Sequence, residues 1–258
     1  MVSGVGIAPV TPTLPNPTGT AEAEVHQLEL SESSPDTLIA SGSVLDEPDD
    51  PLSCHAFDLP GSAGEHLLQT AYGTTDRAAR FYNDQVLDHL NPRMTEFVGR
   101  MDMAFVATSD AKGECDCSLR TGPPGFIEVL NDRTIAYPEY RGNGVMASLG
   151  NISENPSIGV LMVDFVTDLI GLHVNGTASI VEDAVLRGEH PDLPIDTERG
   201  RTPERWVLVN VVEAYVHCRK HIPRMVPFDR ARRWGTDDPL PKGGDYFGVK
   251  AAQRLTTA

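Results

Sequence analysis

The residues best suited to chemistry in this sequence are arginines and glycines close to the predicted start of a helix. The segment Tyr140-Arg141-Gly142-Asn143-Gly144 precedes the helix-compatible run VMASLGNISEN, which ends at Asn155-Pro156. Glycines leave backbone N–H groups accessible, and a helix N-terminus favours negative charge. A guanidinium such as that of Arg120 or Arg141 fits a phosphate with two parallel hydrogen bonds. These residues therefore predict an anion site, with phosphate as its ligand.

Each of these residues also has a plainer interpretation. Arg120 suits an ordinary ion pair at the end of a strand, and Asn143-Gly144 is a common turn dipeptide in solvent. Tyr137 ends the preceding strand and suits a core position as well as a site. The order of the residues, directly before a helix, favours the anion site for Arg120 and the glycine loop.

Histidines and cysteines offer a second kind of chemistry. His217, Cys218 and His221 are close in sequence, and Cys115 and Cys117 lie two residues apart. Zinc sites usually combine two close pairs of ligands, and the alternation of a strand gives Cys115 and Cys117 no second pair. We therefore predict no metal site. The sequence also lacks a Ser-His-Asp hydrolase elbow, a Walker loop, an HExxH motif and a Gly-x-Gly-x-x-Gly fingerprint.

The elements that must position these residues change character near Met103. Before it, the spacing of apolar residues and the capping residues predict helices over 65–72, 77–90 and 92–100. After it, MAFVATSD with ECDCSLR and FIEVL with RTIAY predict two hairpins. Further strands are predicted at SIGVLMVDF, LIGLHVNGTASIVED and WVLVNVVEAYVHC. About six antiparallel strands with one inserted helix predict a mainly β fold with flanking helices, closed or partly closed into a barrel.

Composition divides the chain into four predicted segments. Residues 1–53 are rich in Pro, Ser, Thr, Gly and acidic residues and predict a flexible acidic extension. This arm is either mobile or wraps a partner subunit or covers a pocket. A helical lead-in over 54–100, a barrel over 101–225 and an irregular extension over 226–258 follow.

The net charge of −16 is concentrated at the start of the chain. The first 76 residues carry twelve acidic and no basic side chains, which leaves a charge of −4 for the remainder. Because no basic face compensates for this acidity, nucleic-acid binding is not expected. No apolar run approaches the roughly 20 residues of a membrane span, and the first residues lack the basic start and apolar centre of a secretory signal, so we expect a cytoplasmic protein. Four cysteines without a framework spacing fit reduced thiols.

Several short motifs follow one another in a fixed order: Ser118-Leu119-Arg120, residues 137–144, Glu154-Asn155-Pro156, residues 160–165, Val174-Asn175-Gly176 and residues 214–220. In this order they resemble the pyridoxamine 5′-phosphate oxidase-like flavoproteins, the FMN-binding split barrels, and especially their oxidase-related bacterial branch. The resemblance covers about residues 97–225.

The resemblance implies a six-stranded antiparallel split β-barrel that forms a homodimer and binds flavin at the subunit interface. It implies phosphate contacts from Arg120 and from the loop Arg141 to Asn143. Pyridoxamine 5′-phosphate oxidase itself typically has Ser-Arg-Lys in this loop, whereas this chain has Arg-Gly-Asn and so lacks one cation. The resemblance implies FMN as the first expectation, and this departure leaves FAD or a deazaflavin as alternatives.

Nine cofactor-binding residues are implied in total: Ser118, Arg120, Tyr137, Pro138, Arg141, Gly142, Asn143, Gly144 and Lys220. Tyr137 and Pro138 would meet the isoalloxazine through their backbone. Lys220, with His217, is placed near the flavin edge, where a positive charge stabilises reduced, anionic flavin. A barrel-end histidine and a surface lysine are the plainer interpretation of these two residues.

The first functional hypothesis is an FMN-dependent oxidoreductase that acts on a small organic substrate in a cleft at the dimer interface, with NADH or NADPH docking on the flavin as reductant. Its catalytic residues are unknown. The residues that recognise pyridoxal phosphate have no match, so a role in vitamin B6 metabolism is not predicted. The alternatives are a deazaflavin-dependent reductase and a non-catalytic flavin or haem binder, with His217 or His173 as the axial ligand.

Overall fold

The structure, a computed structural model, describes residues 59–196, 200–228 and 244–256. The predicted acidic extension over 1–53 lies outside the described residues, and so does Cys54. All the described residues belong to one compact unit, Leu52–Ala258. The division into four segments stays a prediction.

Helices precede and flank a sheet. The helices are α1 (Ala63–Ala71), α2 (Thr75–Gln85), α3 (Pro92–Val98), α4 (Ala147–Glu154), α5 (Asp183–Glu189) and α6 (Val249–Thr256), with a short 3-10 turn at Arg219–His221. The strands are β1 (Val86–Leu87), β2 (Met103–Ser109), β3 (Cys115–Thr121), β4 (Glu128–Asn131), β5 (Thr134–Glu139), β6 (Ser157–Asp164), β7 (Ile170–Glu182) and β8 (Arg205–His217).

The strands form one antiparallel sheet in the order β3-β2-β6-β7-β8-β5-β4, and β1 pairs with β8 beside this path. The predicted fold class, mainly antiparallel β with flanking helices, is confirmed. The predicted number of six strands is wrong, since the described residues contain eight. Val86 and Leu87 continue a helical pattern in the sequence, but their extended backbone pairs with Tyr215 and Ala214 and forms β1. That tertiary pairing overrides the local pattern.

Two further predictions, the start of α3 and the irregular C-terminal segment, have different outcomes. α3 begins as predicted, because Pro92 occupies its first position and the Asn91 side chain accepts a hydrogen bond of 3.0 Å from the Met94 amide. The segment 226–258, expected to be irregular, contains α6.

The core lies inside the curved sheet, where β-branched residues of alternate positions meet. Its fully buried members include Val106, Ile135, Val174, Val207 and Val209. Since side chains alternate along a strand, the neighbours of these residues face the other side of the sheet. This opposite side is called the outer face below.

The two longest strands, β7 and β8, pair along their length with a register shift between Asn175 and Gly176. A Cβ atom at Gly176 would lie 1.9 Å from the carbonyl oxygen of Asn210. Glycine is therefore required there by the close approach of two backbones.

The sheet is open between its two ends. β3 and β4 end the strand order, and within the described residues no ladder joins β3 to β4 or β5. We call this opening the seam. The loop after β5 and the start of α4 lie beside it.

Candidate functional site

A cleft of about 890 Å³ lies at the seam, between β3, the end of β5, the loop 140–146 and the first turn of α4. Seven of the nine predicted cofactor-binding residues line it: Ser118, Arg120, Pro138, Arg141, Gly142, Asn143 and Gly144. The structure thus brings the strand arginine and the glycine loop to one cavity. It also adds residues that the sequence reasoning did not name: Asp116, Glu139, Ser148, Glu204 and Arg205.

The alternation of β3 decides which of its side chains face the cleft. Asp116, Ser118 and Arg120 line the cleft, whereas Cys117 is exposed and does not line it. Leu119 borders the cleft as well, but it pairs with Phe105 and its side chain is 55% exposed on the outer face. A two-residue period separates these two sets. β3 therefore supplies a polar row of acid, hydroxyl and guanidinium to the cleft.

Arg120 is held by a carboxylate on the other side of the seam. Its Nε and Nη2 atoms both lie 2.8 Å from Oε1 of Glu139, and both side chains are largely buried. This is the plainer of the two interpretations of Arg120. A phosphate at Arg120 would share the guanidinium with Glu139, and that contact stays a prediction.

The loop before α4 is shaped by its own side chain and by two left-handed residues. The side-chain oxygen of Asn143 accepts a hydrogen bond of 2.9 Å from the Val145 amide. Gly144 has a φ of 85°, a conformation that glycine adopts without strain, and Met146 follows with a φ of 57° as the N-cap of α4.

The start of α4 offers free backbone donors to the cleft. Met146 makes no side-chain capping bond, and the amides of Ala147, Ser148 and Leu149 donate no hydrogen bond to any described residue. All three residues line the cleft. Such a helix terminus carries a partial positive charge and suits an anion.

A hydroxyl–carboxylate cluster ties β3 to α4. Ser118 Oγ donates to Asp116 Oδ2 at 2.9 Å, and Ser148 Oγ donates to the same oxygen at 3.1 Å. The two hydroxyl oxygens lie 3.2 Å apart. Both serine hydroxyls thus have an internal acceptor.

Two predicted residues lie away from the cleft lining. The Tyr137 side chain is fully buried in the core, and its hydroxyl has no hydrogen-bond partner among the described residues. Burial, followed by the negative charge of Glu139, raises the pKa of Tyr137. Lys220 belongs to the turn after β8, whereas Arg205, at the opposite end of that strand, lines the cleft. A single chain therefore does not bring Lys220 to this cavity.

The candidate axial histidines lie on the outer face. Leu172 and Val174 are buried, so His173 between them points away from the core. His173 Nε2 lies 3.0 Å from His217 Nδ1, and the His173 ring stacks on Tyr215 at 4.7 Å. Burial, and then the charge of His217, lowers the pKa of His173.

A second cavity, of about 550 Å³, lies on this outer face between α2 and strands β7 and β8. Its charged and aromatic lining includes Glu65, Arg77, Tyr82, Glu213 and Tyr215. Tyr82 donates to Glu65 at 2.9 Å and accepts from Gln69 at 2.7 Å, so its hydroxyl is already used inside the molecule.

The described part of the chain holds no group of three or more His, Cys, Asp or Glu residues that could bind a metal ion. Its cysteines Cys115, Cys117 and Cys218 are free thiols. None of its helices has the length and apolar character that crossing a membrane requires.

Asp116 was not named from the sequence, although the alternation of β3 could have identified it. The alternation that places Cys115 and Cys117 on one face of β3 also places Asp116 with Ser118 and Arg120 on the other. Ser148 had no such signal in the sequence, because its neighbours are apolar and its role comes from the packing of α4 on β3.

The family model described as pyridoxamine 5′-phosphate oxidase matches residues 90–218, half of the 258 residues, and this range contains β3, the loop and α4. No curated protein matches the chain. Among solved structures, the H111A variant of HupZ from Group A Streptococcus is 22% identical, covers 50% of this chain and 99% of its own, and has a TM-score of 0.37.

Two further structures are similar to a comparable extent. General Stress Protein 26 from Bacillus anthracis is 16% identical, with 47% of this chain and 89% of its own covered and a TM-score of 0.35. HutZ, the haem storage protein from Vibrio cholerae, is 18% identical, with 49% and 94% covered and a TM-score of 0.33. At these values the three structures say nothing about cofactor or activity. The match to the family model, together with the open antiparallel sheet, shows that the chain belongs to the pyridoxamine 5′-phosphate oxidase family.

Proposed function

We propose that this protein is a flavin-dependent oxidoreductase that binds FMN with its phosphate in the cleft at the seam. The observation that carries the proposal is the uncapped start of α4, which opens into a cavity lined by seven of the nine residues predicted from the sequence. Membership of the family supports a flavin as the ligand.

The residues of the cleft fit a phosphate-tailed cofactor. The amides of Ala147, Ser148 and Leu149 would hold the phosphate oxygens, and Arg141 would add a charged donor beside them. The cavity of about 890 Å³ is within the size range of small-molecule sites. FAD or a deazaflavin remains the alternative cofactor, because the loop has Arg-Gly-Asn and one cation fewer than the named oxidase.

The chain's own residues would bind and orient the cofactor. Pro138 lines the cleft, and the Arg120–Glu139 pair bridges the seam, since it joins β3 to β5, which no ladder connects. When bound, a flavin supplies reversible hydride or electron transfer. We assign no general acid or base, since no side chain of the cleft is placed to hold a proton for an identified substrate.

We also propose that the protein forms a homodimer through its outer face. A row of side chains crosses the strands in register, where Leu119 pairs with Phe105, Phe105 with Leu161, and Leu161 with His173. Leu119 is 55% exposed and Phe105 is 36% exposed. An apolar row that is exposed at Leu119 and Phe105 and half-buried at Leu161 suits a protein interface.

The test begins with the purified protein and its natural ligand. Mass analysis of the bound small molecule, flavin absorbance and titration with FMN measure cofactor binding. Reduction by NADH or NADPH without oxygen, followed by reoxidation with candidate substrates, measures turnover. Bound flavin that cycles supports the proposal, and a protein that binds neither FMN, FAD nor riboflavin contradicts it.

A second candidate function is non-catalytic haem binding at the outer face. It is favoured by the paired imidazoles of His173 and His217, which are partly exposed beside an aromatic ring. Haem titration would give an intense Soret band that His173→Gln or His217→Gln removes. A flavin spectrum without a haem-dependent Soret band contradicts this alternative.

A further inference from the structure

We propose that Asp116 makes the cleft selective for the charge of the phosphate, so that a singly charged phosphate binds better than a doubly charged one. This inference rests on the proposed function, since it concerns the phosphate end of the same cofactor. It assigns Asp116 as a specificity-determining residue.

The first step is the state of the hydroxyl groups in the cleft. The hydroxyls of Ser118 and Ser148 both donate to Oδ2 of Asp116. A serine hydroxyl has one hydrogen to donate, so neither serine is left as a donor for a phosphate oxygen while Asp116 is ionised. The carboxylate thereby replaces two potential phosphate donors with a negative charge.

The second step is the balance of charge. The carboxylates that line the cleft are Asp116, Glu139 and Glu204, and the guanidinium groups are Arg120, Arg141 and Arg205. The formal charges of these six groups cancel.

Two of the three guanidinium groups face carboxylates directly. Arg120 contacts Glu139 at 2.8 Å, and Arg205 lies 3.6 Å from Glu204 and 3.7 Å from Glu182. The cleft therefore presents backbone amides to a phosphate rather than surplus positive charge. Because the formal charges of the six lining groups already cancel, a second negative charge on the ligand leaves the cleft with more uncompensated negative charge.

The third step identifies what titrates. The charged and titratable groups that face the cleft are Asp116 and Arg120 from β3, Glu139 from β5, Tyr140 and Arg141 from the loop, and Glu204 and Arg205 at the start of β8. α4 contributes no charged side chain to the lining, and no histidine is among the lining residues of the described chain. A phosphate monoester loses its second proton at a pKa of about 6. Between pH 8 and pH 5.5 the phosphate of FMN therefore changes from mostly doubly charged to mostly singly charged.

The experiment compares FMN with riboflavin, which lacks the phosphate, at pH 8 and at pH 5.5. Fluorescence quenching gives the ratio of the two affinities for the full chain, for Asp116→Asn and for Asp84→Asn. Asp84 lies exposed on α2, so Asp84→Asn removes the same charge outside the cleft. Asn keeps an acceptor for the serine hydroxyls, and thermal unfolding verifies that each variant is folded.

For the wild-type protein we expect the FMN-to-riboflavin ratio to rise about fivefold or more from pH 8 to pH 5.5, as the phosphate becomes singly charged. At pH 8 we expect Asp116→Asn to bind FMN at least about fivefold more tightly than the wild-type protein does. At pH 5.5 we expect little difference between the two proteins. Asp84→Asn should behave as wild type. Asp116→Ala, which removes the charge and adds no amide, should match Asp116→Asn.

Several results would overturn the inference while leaving the proposed function intact. These are FMN binding that is independent of pH and of Asp116, or a gain in Asp116→Asn that Asp116→Ala does not reproduce. Absence of both FMN and riboflavin binding from every variant at both pH values contradicts the proposed function itself.

Discussion

The two faces of the sheet differ sharply although the same strands build both. In the cleft at the seam, Arg120 is paired with Glu139, the serine hydroxyls are held by Asp116, and the first backbone amides of α4 donate to no described residue. On the outer face, imidazole, phenol and apolar side chains form a row across the strands. The first surface suits an anion, and the second suits a flat apolar partner or ring.

One residue step along a strand separates two kinds of chemistry. Asp116 and Ser118 face the cleft, while Cys117 between them faces outward. His173 likewise points outward between two core residues. A ligand that contacted both faces would therefore have to lie between two chains or reach around an edge of the sheet.

Gly176→Ala should have the largest effect, because it disrupts the strands that carry both faces. Its Cβ would meet the Asn210 backbone at 1.9 Å, so β7 and β8 must separate locally. We expect a loss of roughly 3 kcal/mol in the free energy of unfolding, measured by urea denaturation. The control is Gly188→Ala in α5, where a Cβ meets nothing within 4 Å. Equal stability of the two variants would contradict the described register.

Leu119→Glu should have the next largest effect, because it weakens the proposed dimer. It places a charge in the apolar row, and we expect the dimer dissociation constant to rise about a hundredfold or more, measured by analytical ultracentrifugation. Val185→Glu in α5 is the matched control, since Val185 is 54% exposed and Leu119 is 55% exposed. A dimer insensitive to Leu119→Glu, or disrupted equally by both changes, would remove this face from the interface.

Arg141→Ala should act on the cleft alone. We expect FMN affinity to fall about tenfold or more, through loss of a charged hydrogen bond, while riboflavin affinity and the unfolding temperature stay nearly unchanged. Arg93→Ala, on the exposed side of α3, removes the same charge outside the site. If FMN occupancy is unaffected by Arg141→Ala, or falls as much in Arg93→Ala, the loop is not the phosphate site.

His173→Gln should have the smallest effect and act on the outer face alone. Burial and His217 lower the folded-state pKa of His173 below the unfolded value of about 6.5, so the unfolded chain takes up the proton first. Wild-type stability should therefore decline as pH falls below that value, and His173→Gln should lose less. Unfolding temperatures at pH 7.5 and pH 5.5 measure this, and an identical acid loss in both proteins would contradict it.

The sequence predicted local features well where the pattern is strong. The hairpin turns, the Asn91-Pro92 start of α3 and the loop before α4 follow from turn and capping chemistry within a few residues. The cleft lining from Ser118 to Gly144 followed from the order of motifs. These features depend on neighbours in sequence.

The features that escaped prediction depend on packing between distant segments. β1 exists because Val86 meets Tyr215, and Glu139 holds Arg120 because the seam brings two unpaired strands together. Ser148 joins Asp116 only after α4 packs on β3. For Tyr137 and Lys220 the sequence left two interpretations open, and the structure matches the plainer one: the Tyr137 side chain is buried in the core, and the length of β8 separates Lys220 from the cleft.

The most direct test of the central claim is an NMR comparison of amide shifts on adding FMN with those on adding riboflavin. The phosphate is the sole chemical difference between the ligands, so the difference in shifts locates it. We predict that the largest differences fall on residues 142–149, at the loop and the start of α4. Differences confined to the outer face around His173 and Tyr215, or no difference between the two ligands, would contradict the assignment of the cleft as the phosphate site.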